Sequence, residues 1–344
     1  MNSKEFPHEW VRARVALSSH EEYRILCEGQ MVEAVLAGRV RFEAEAVGCW
    51  PVVGDWVMAM ANQSGPWVVQ AVVDRQNVLY RGLAERGEPD QAMAANVDVA
   101  LVVSALDAEF HERRLERYLY LANECGVRPI IVLNKTDRAV ARAKLEQRAE
   151  KVAGGVAMHS ISALTGEGVA DLMGAIKLGQ TAVLLGSSGV GKSTLLNRLK
   201  GFEMQRTQPV RERDYKGRHT TTHRELIELE CGWTLIDMPG LREVGLPGGP
   251  GAAIATTFED ITQWATSCRF FDCQHRGEPG CEVAAAVASG KLEAARFANY
   301  QKMLRELTFR ERQADKGLES AERAKWKKIH LAMRKSPDKR KGSY

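Results

Sequence analysis

The chain has 344 residues, 44% apolar and 27% charged, with a formal net charge of +4. That length allows two or three domains, each able to bury a core, and the balance is that of a soluble globular protein. No apolar run is long enough to span a bilayer, and residues 1–10 lack a basic start followed by an apolar core, so a cytoplasmic location is expected.

From residue 10 to residue 73, short β-rich runs alternate with turns: 11–17, 23–27, 31–36, 39–44, 55–61 and 67–73. Gly29, Gly38, Gly48, Gly54 and Gly65 punctuate them, a spacing that suits an OB-like barrel with an SH3-like barrel as competitor. The pattern then changes to strands alternating with helices. Residues 97–104, 129–133, 156–161, 181–185, 226–229 and 233–236 predict strands, and 112–125, 169–176 and 192–199 predict helices. An α/β sheet covered by helices on both faces follows. The expected divisions are 1–77 for the barrel, 78–248 for the α/β domain and 249–344 for a small helical domain holding a Cys/His cluster, entered through a Gly/Pro-rich linker at 245–251.

Asn134-Lys135-Thr136-Asp137 stands at the end of the strand 129–133. A carboxylate at Asp137 can accept from both the N1 and N2 donors of guanine, a pair that adenine lacks. A buried polar site of this kind rejects the wrong partner by roughly 10⁴. Ser162-Ala163-Leu164 ends the next strand, where a backbone loop would support guanine O6.

Gly186-Ser187-Ser188-Gly189-Val190-Gly191-Lys192-Ser193-Thr194 lies between a strand and a helix, the context a phosphate-binding loop requires. Its glycines let N–H groups turn inward around phosphates at a helix N-terminus. Lys192 is expected to reach the β- and γ-phosphates, and the Ser193 hydroxyl to bind Mg²⁺. Asp237-Met238-Pro239-Gly240 ends a later strand, with Asp237 holding the magnesium shell through water and Gly240 N–H meeting the γ-phosphate. Between the two lies Gly217-Arg218-His219-Thr220-Thr221-Thr222, of which Thr221 is favoured over Thr220 and Thr222 to complete that shell. Many GTPases place a water-orienting Gln directly after the sensor glycine. Here Leu241 stands there, so slow unassisted GTP hydrolysis is expected, with His219 the nearest group able to orient a water.

The order of these motifs is unusual. The base box precedes the P-loop by about fifty residues, whereas an ordinary GTPase has the P-loop first. A circularly permuted G domain is therefore expected, with its sensor adjoining the linker to the Cys/His segment. Nucleotide state is then expected to bias that segment through residues 241–251.

Cys268-x₄-Cys273-x-His275-x₅-Cys281 gathers three thiolates and one imidazole, a set that suits one tetrahedral structural zinc. Cys27, Cys49, Cys125 and Cys231 are scattered and read as reduced thiols. Beyond the cluster, residues 321–344 carry nine Lys or Arg against Glu322 and Asp338. That tail, with Lys325-Trp326-Lys327-Lys328 and Lys339-Arg340-Lys341, is the candidate phosphate-backbone contact. Two other classes compete with a GTPase: a P-loop enzyme such as a kinase, and an RNA-binding module that no longer hydrolyses nucleotide.

Together these motifs resemble the RsgA (YjeQ) family of circularly permuted GTPases of small ribosomal subunit assembly. The resemblance rests on Pro51-Val52-Val53-Gly54-Asp55-Trp56-Val57, 134–137, 186–194, 217–222, 237–240 and the Cys268/Cys273/His275/Cys281 set. It implies an OB domain, a permuted G domain and a zinc domain. It also implies GTP hydrolysis stimulated by the small subunit late in its maturation, contact with rRNA, and a role for a histidine at the position of His219. Nothing in the sequence requires more than a monomer.

Overall fold

Period-two burial builds the N-terminal strands β1 (Val11–Ser18), β2 (Tyr23–Cys27), β3 (Gln30–Leu36), β4 (Trp56–Met60) and β5 (Trp67–Val72). Val15, Ile25, Val57, Ala59 and Val69 point to one side and are fully buried together. The hydrogen-bonded order β1-β2-β3-β5-β4 closes back onto β1, with β3 parallel to β5. That is a five-stranded closed barrel of the OB kind, and closure removes the free edges that a small sheet would expose. The computed structural model describes residues 6–19, 22–62, 64–81, 90–204, 224–238, 246 and 252–312.

One predicted strand is wrong. Residues 39–44 belong to helix α1 (Gly38–Val47), between β3 and β4. Val40, Phe42 and Ala44 read as an alternating strand, but Val40 and Ala44 are also four apart and are the pair that is buried. Phe42 is left 72% exposed. The helical reading wins because Arg39–Glu43 and Arg41–Glu45 pair at i,i+4 and Gly48 ends the helix in the left-handed conformation.

A hairpin of β6 (Val78–Arg81) and β7 (Gln91–Ala95) joins the barrel to the central sheet. The joint is built on Gly54-Asp55. The buried Asp55 carboxylate accepts two hydrogen bonds from Arg75 and one from Val52 N–H. Arg14 and Asn96 both donate to Gly54 O. Gly54 has φ +93°, and a Cβ placed there would lie 2.2 Å from Ala95 O. Gly54→Ala should therefore destabilise the protein by at least about 2 kcal/mol in urea melts. Gly38→Ala, which meets open space at the start of α1, is the control and should leave the midpoint unchanged or raise it.

The central domain runs β8 (Val99–Ala105), α2 (Glu112–Glu124), β9 (Arg128–Asn134), α3 (Arg142–Ala153), β10 (Met158–Ser160), α4 (Val169–Gly174), β11 (Thr181–Leu185), α5 (Lys192–Met204), β12 (Glu225–Glu228) and β13 (Thr234–Asp237). The strands order β10-β9-β8-β11-β13 in parallel, then β12 antiparallel. Alternation along the strands feeds two cores. Ala100, Val102, Val183 and Leu185 face α2 and α3, while Leu101, Val103, Ala182 and Leu184 face α4 and α5. The chain leaves β8 for β9 and β10, then returns to β11 on the other side, so the topological switch lies between β8 and β11. A bridge from Leu17 to Glu225 continues this sheet into the barrel.

Helices α6 (Ala252–Thr257), α7 (Glu259–Ala265), α8 (Glu282–Ala288) and α9 (294–312) form the C-terminal part. Phe258, Ile261, Val283, Leu292, Met303 and Leu307 make its core, to which α2 contributes Tyr120. Leu246, within the predicted linker, is fully buried in that same core. No helix among the described residues is long and apolar enough to cross a membrane.

Candidate functional site

The three described nucleotide motifs meet at the C-terminal ends of the parallel strands, beside the switch point. Gly186, Gly189 and Gly191 have φ of +149°, +83° and +95°, so the loop from β11 to α5 turns where side-chain-bearing residues rarely go. Lys192, at the start of α5, extends back over the loop and donates to the carbonyls of Gly186 and Ser187, each at 2.6 Å. Asp237 sits at the end of the neighbouring β13. Burial raises its carboxyl pKa and Glu225 adds to the rise, opposed by Lys200 and Lys192. A carboxylate so placed gains from a cation brought beside it.

Asn134 binds the motifs to one another. Its side-chain N–H donates to Val190 O in the P-loop at 2.9 Å, and its Oδ1 accepts from Ala163 N–H at 2.9 Å. A Cβ at Gly191 would lie 2.3 Å from Asn134 Nδ2, so the glycine is required by the base box as well as by the loop. Lys135 adopts φ +70°, and its ammonium pairs with Asp107 at 2.8 Å. Burial pushes the Asp107 carboxyl up, but Lys135 and Glu109 N–H outweigh it and hold it below the usual range. Thr136 Oγ1 donates to Glu167. Asp137 Oδ1 accepts from Ser162 Oγ at 2.6 Å, which fixes the carboxylate predicted to meet guanine. Ser188, Ser193 and Thr194 lie on the P-loop and the first turn of α5 with Ser187.

Three contributors escaped the sequence reading: Asp107, Tyr118 and Arg198. The Tyr118 side chain, on α2, lines the same cavity as Ser187 of the P-loop; burial raises its pKa and Ser187 opposes the rise. Arg198, on α5, donates from Nε to Ala163 O at 3.1 Å and from Nη2 to Leu164 O. Each reaches the site from a different element, so no local spacing signals it. A hint existed only for Arg198, which falls six residues after Lys192 on the helix that opens from the P-loop. His219, Thr221, Gly240 and Leu241, together with 217–222 and the basic tail, lie outside the described residues.

The second cluster assembles as predicted. One ligand atom from each of Cys268, Cys273, His275 and Cys281 lies within 4.8 Å of every other. A tetrahedral ion with bonds of about 2.3 Å to sulfur and about 2.05 Å to nitrogen would space sulfur and nitrogen about 3.6 Å apart. His275 Nδ1 lies 3.6 Å from Cys268 Sγ and 3.4 Å from Cys281 Sγ, so the donor set fits a metal of that size. Burial raises the Cys268 thiol pKa, yet the N–H groups of Val283 and Glu282, in the first turn of α8, outweigh it and lower the value overall. Cys281 caps the same helix by accepting from Ala284 N–H. Glu278 braces the loop around His275 by accepting from Gln274 and Arg276 N–H groups.

Residues 72–247 match the family model described as RsgA GTPase. The chain is 40% identical over 334 residues to the small ribosomal subunit biogenesis GTPase RsgA of Opitutus terrae, covering 94% of this chain and 91% of that protein. Among solved structures, YjeQ from Thermotoga maritima superposes with a TM-score of 0.65 at 26% identity, covering 87% of this chain and 99% of the other. YloQ, described as a circularly permuted GTPase, shares the fold with a TM-score of 0.61 at 24% identity, over 90% and 99% of the two chains. The permuted order of base box, P-loop and sensor on one sheet, flanked by the barrel and the Cys₃His cluster, places this chain in the RsgA GTPase family.

Proposed function

We propose that the chain binds and hydrolyses GTP while engaged with the small ribosomal subunit and its rRNA, assisting late maturation. The carrying observation is the convergence of Asn134, Asp137, Ala163 and the Gly186–Thr194 loop on one edge of the sheet. Asp137 reads N1 and N2 of guanine, the P-loop amides and Lys192 hold the β- and γ-phosphates, and Gly240 N–H meets the γ-phosphate. Ser193, Thr221 and Asp237, the last through water, would hold Mg²⁺, which neutralises charge on the phosphates when bound. Leu241 offers no hydrogen bond to a water, so isolated turnover is slow and His219 is our candidate to orient it. The Cys268/Cys273/His275/Cys281 set holds one structural Zn²⁺. The units are 1–77, 78–248 and 249–344, the protein acts as a cytoplasmic monomer, and the basic tail meets the RNA backbone.

The test is GTP turnover with purified small subunits, large subunits or neither. Small subunits should accelerate hydrolysis, and Lys192→Ala should lose it under every condition. Stimulation by large subunits alone would reject the partner, and fast unassisted turnover would reject the account of Leu241.

A further inference from the structure

The stretch 264–271 carries the aromatic rings of Trp264, Phe270 and Phe271, in a chain that is only 7% aromatic. Two of these rings are each paired with a cation. The Arg269 guanidinium lies 5.5 Å from the Phe270 centroid and the Lys291 ammonium 5.7 Å from that of Trp264, both within cation–π reach. Phe271 has no cover: at 109% it is the most exposed large apolar side chain among the described residues. A single exposed phenylalanine needs no explanation, but a group of rings interleaved with cations does.

The loop that carries Phe271 is also held. Phe271 stands between Cys268 and Cys273, both members of the metal-binding set. Cys273 N–H donates to Phe270 O and Arg269 N–H to Gly280 O, so the turn 269–272 is fastened at both ends. A ring fixed in advance loses little conformational freedom on binding. Glu278 is turned to the backbone, accepting from Gln274 and Arg276 N–H groups. That leaves Asp272 as the outward acid of the turn, against Arg269 and Arg276, which are both exposed.

A rigid bare ring among guanidiniums suits an unpaired RNA base. The base supplies a flat apolar face, and its flanking phosphates supply the opposite charge. Paired bases offer no such face, because they are stacked on one another and the deep groove of the A-form helix excludes side chains. An apolar protein pocket would take the ring but has no use for the cations around it. Resting on the reading that this chain binds rRNA, we propose that Phe271 is the stacking platform for one unpaired RNA base, with Arg269 meeting the phosphate beside it. The metal-binding loop then reads an exposed base, a task distinct from the backbone contact assigned to the basic tail.

The test uses the full chain, loaded with metal as purified, and purified small ribosomal subunits at several salt concentrations. Phe271→Ala should bind them between about fivefold and a hundredfold more weakly, the loss of one base–aromatic stack. Its salt slope should be unchanged, because no phosphate contact is removed. Phe271→Trp should bind at least as well as the unaltered protein, and Arg269→Gln should instead flatten the salt slope by about one. Metal content and melting temperature should not move in either Phe271 variant, since the side chain is fully exposed. A photoreactive benzoylphenylalanine in place of Phe271 should crosslink to rRNA. Undiminished binding by Phe271→Ala, or crosslinks to ribosomal protein alone, would overturn the proposal. Failure of the unaltered protein to bind small subunits would overturn the rRNA reading itself.

Discussion

Stripping the ion from the Cys268–Cys273–His275–Cys281 cluster should unfold the C-terminal helices while the nucleotide domain keeps its own transition. Cys281 is both a member of the proposed ligand set and a buried member of the C-terminal core, and it caps α8. Between Cys268 and Cys281 the chain leaves Phe270 and Phe271 exposed, so the loop has little apolar burial of its own to hold it. Structural zinc supplies about 10 kcal/mol or more in small modules of this kind. Chelation followed by calorimetry should therefore split one melt into two, the first well below the original, and Cys281→Ser should do the same without a chelator. Purified protein that contains no metal yet melts as before would dispose of the zinc assignment.

The second large effect is expected at Arg296. Its guanidinium sits between Glu116 on α2, at 2.5 Å, and Asp260 on α7, at 2.8 Å, and Asn299 also donates to Glu116. Glu116 is only 1% exposed, and burial raises its pKa against the opposing pull of Arg296 and Asn299. Removing Arg296 leaves that carboxylate buried beside another acid. Arg296→Ala should lose about 3–5 kcal/mol. Acid should relieve part of this, because the stranded carboxyl neutralises as pH falls; the gap from wild type in urea midpoints should narrow accordingly. Replacing both members, as Glu116→Gln with Arg296→Met, should recover most of the loss. If the single variant were as stable as wild type, the pair would not be what docks α7 and α9 on α2.

Most of the barrel and the parallel sheet were legible because burial on one or both faces imprints a short period on the sequence. The misread 39–44 shows where that imprint fails: apolar residues at i, i+2 and i+4 satisfy a strand and a one-turn helical stripe equally. Charge pairing at i,i+4, from Arg39 to Glu43 and Arg41 to Glu45, was the signal that separated them. Helix α3 was missed for a different reason. Its buried face is small, only Ala149, Val152 and Ala153, against a charged exterior. The site divided in the same way. Local motifs named the residues expected to touch the ligand, whereas Asp107, Tyr118 and Arg198 come from other parts of the fold and are brought in by topology.

Helix α2 has no idle face. Leu115, Leu119 and Leu121 are buried against the sheet, Tyr118 reaches the P-loop, and Glu116, Tyr120 and Asn123 hold the C-terminal helices. Arg117 adds a paired contact to Glu306 on α9. A shaft gripped at both ends transmits a twist in either direction. If filling the phosphate loop alters how Ser187 sits against Tyr118 and thereby moves α2, the docking of the C-terminal module must shift by the same free energy. Seizing that module from outside must then retune nucleotide affinity equally. That coupling would run through the body of α2, apart from the chain segment that joins the two in sequence.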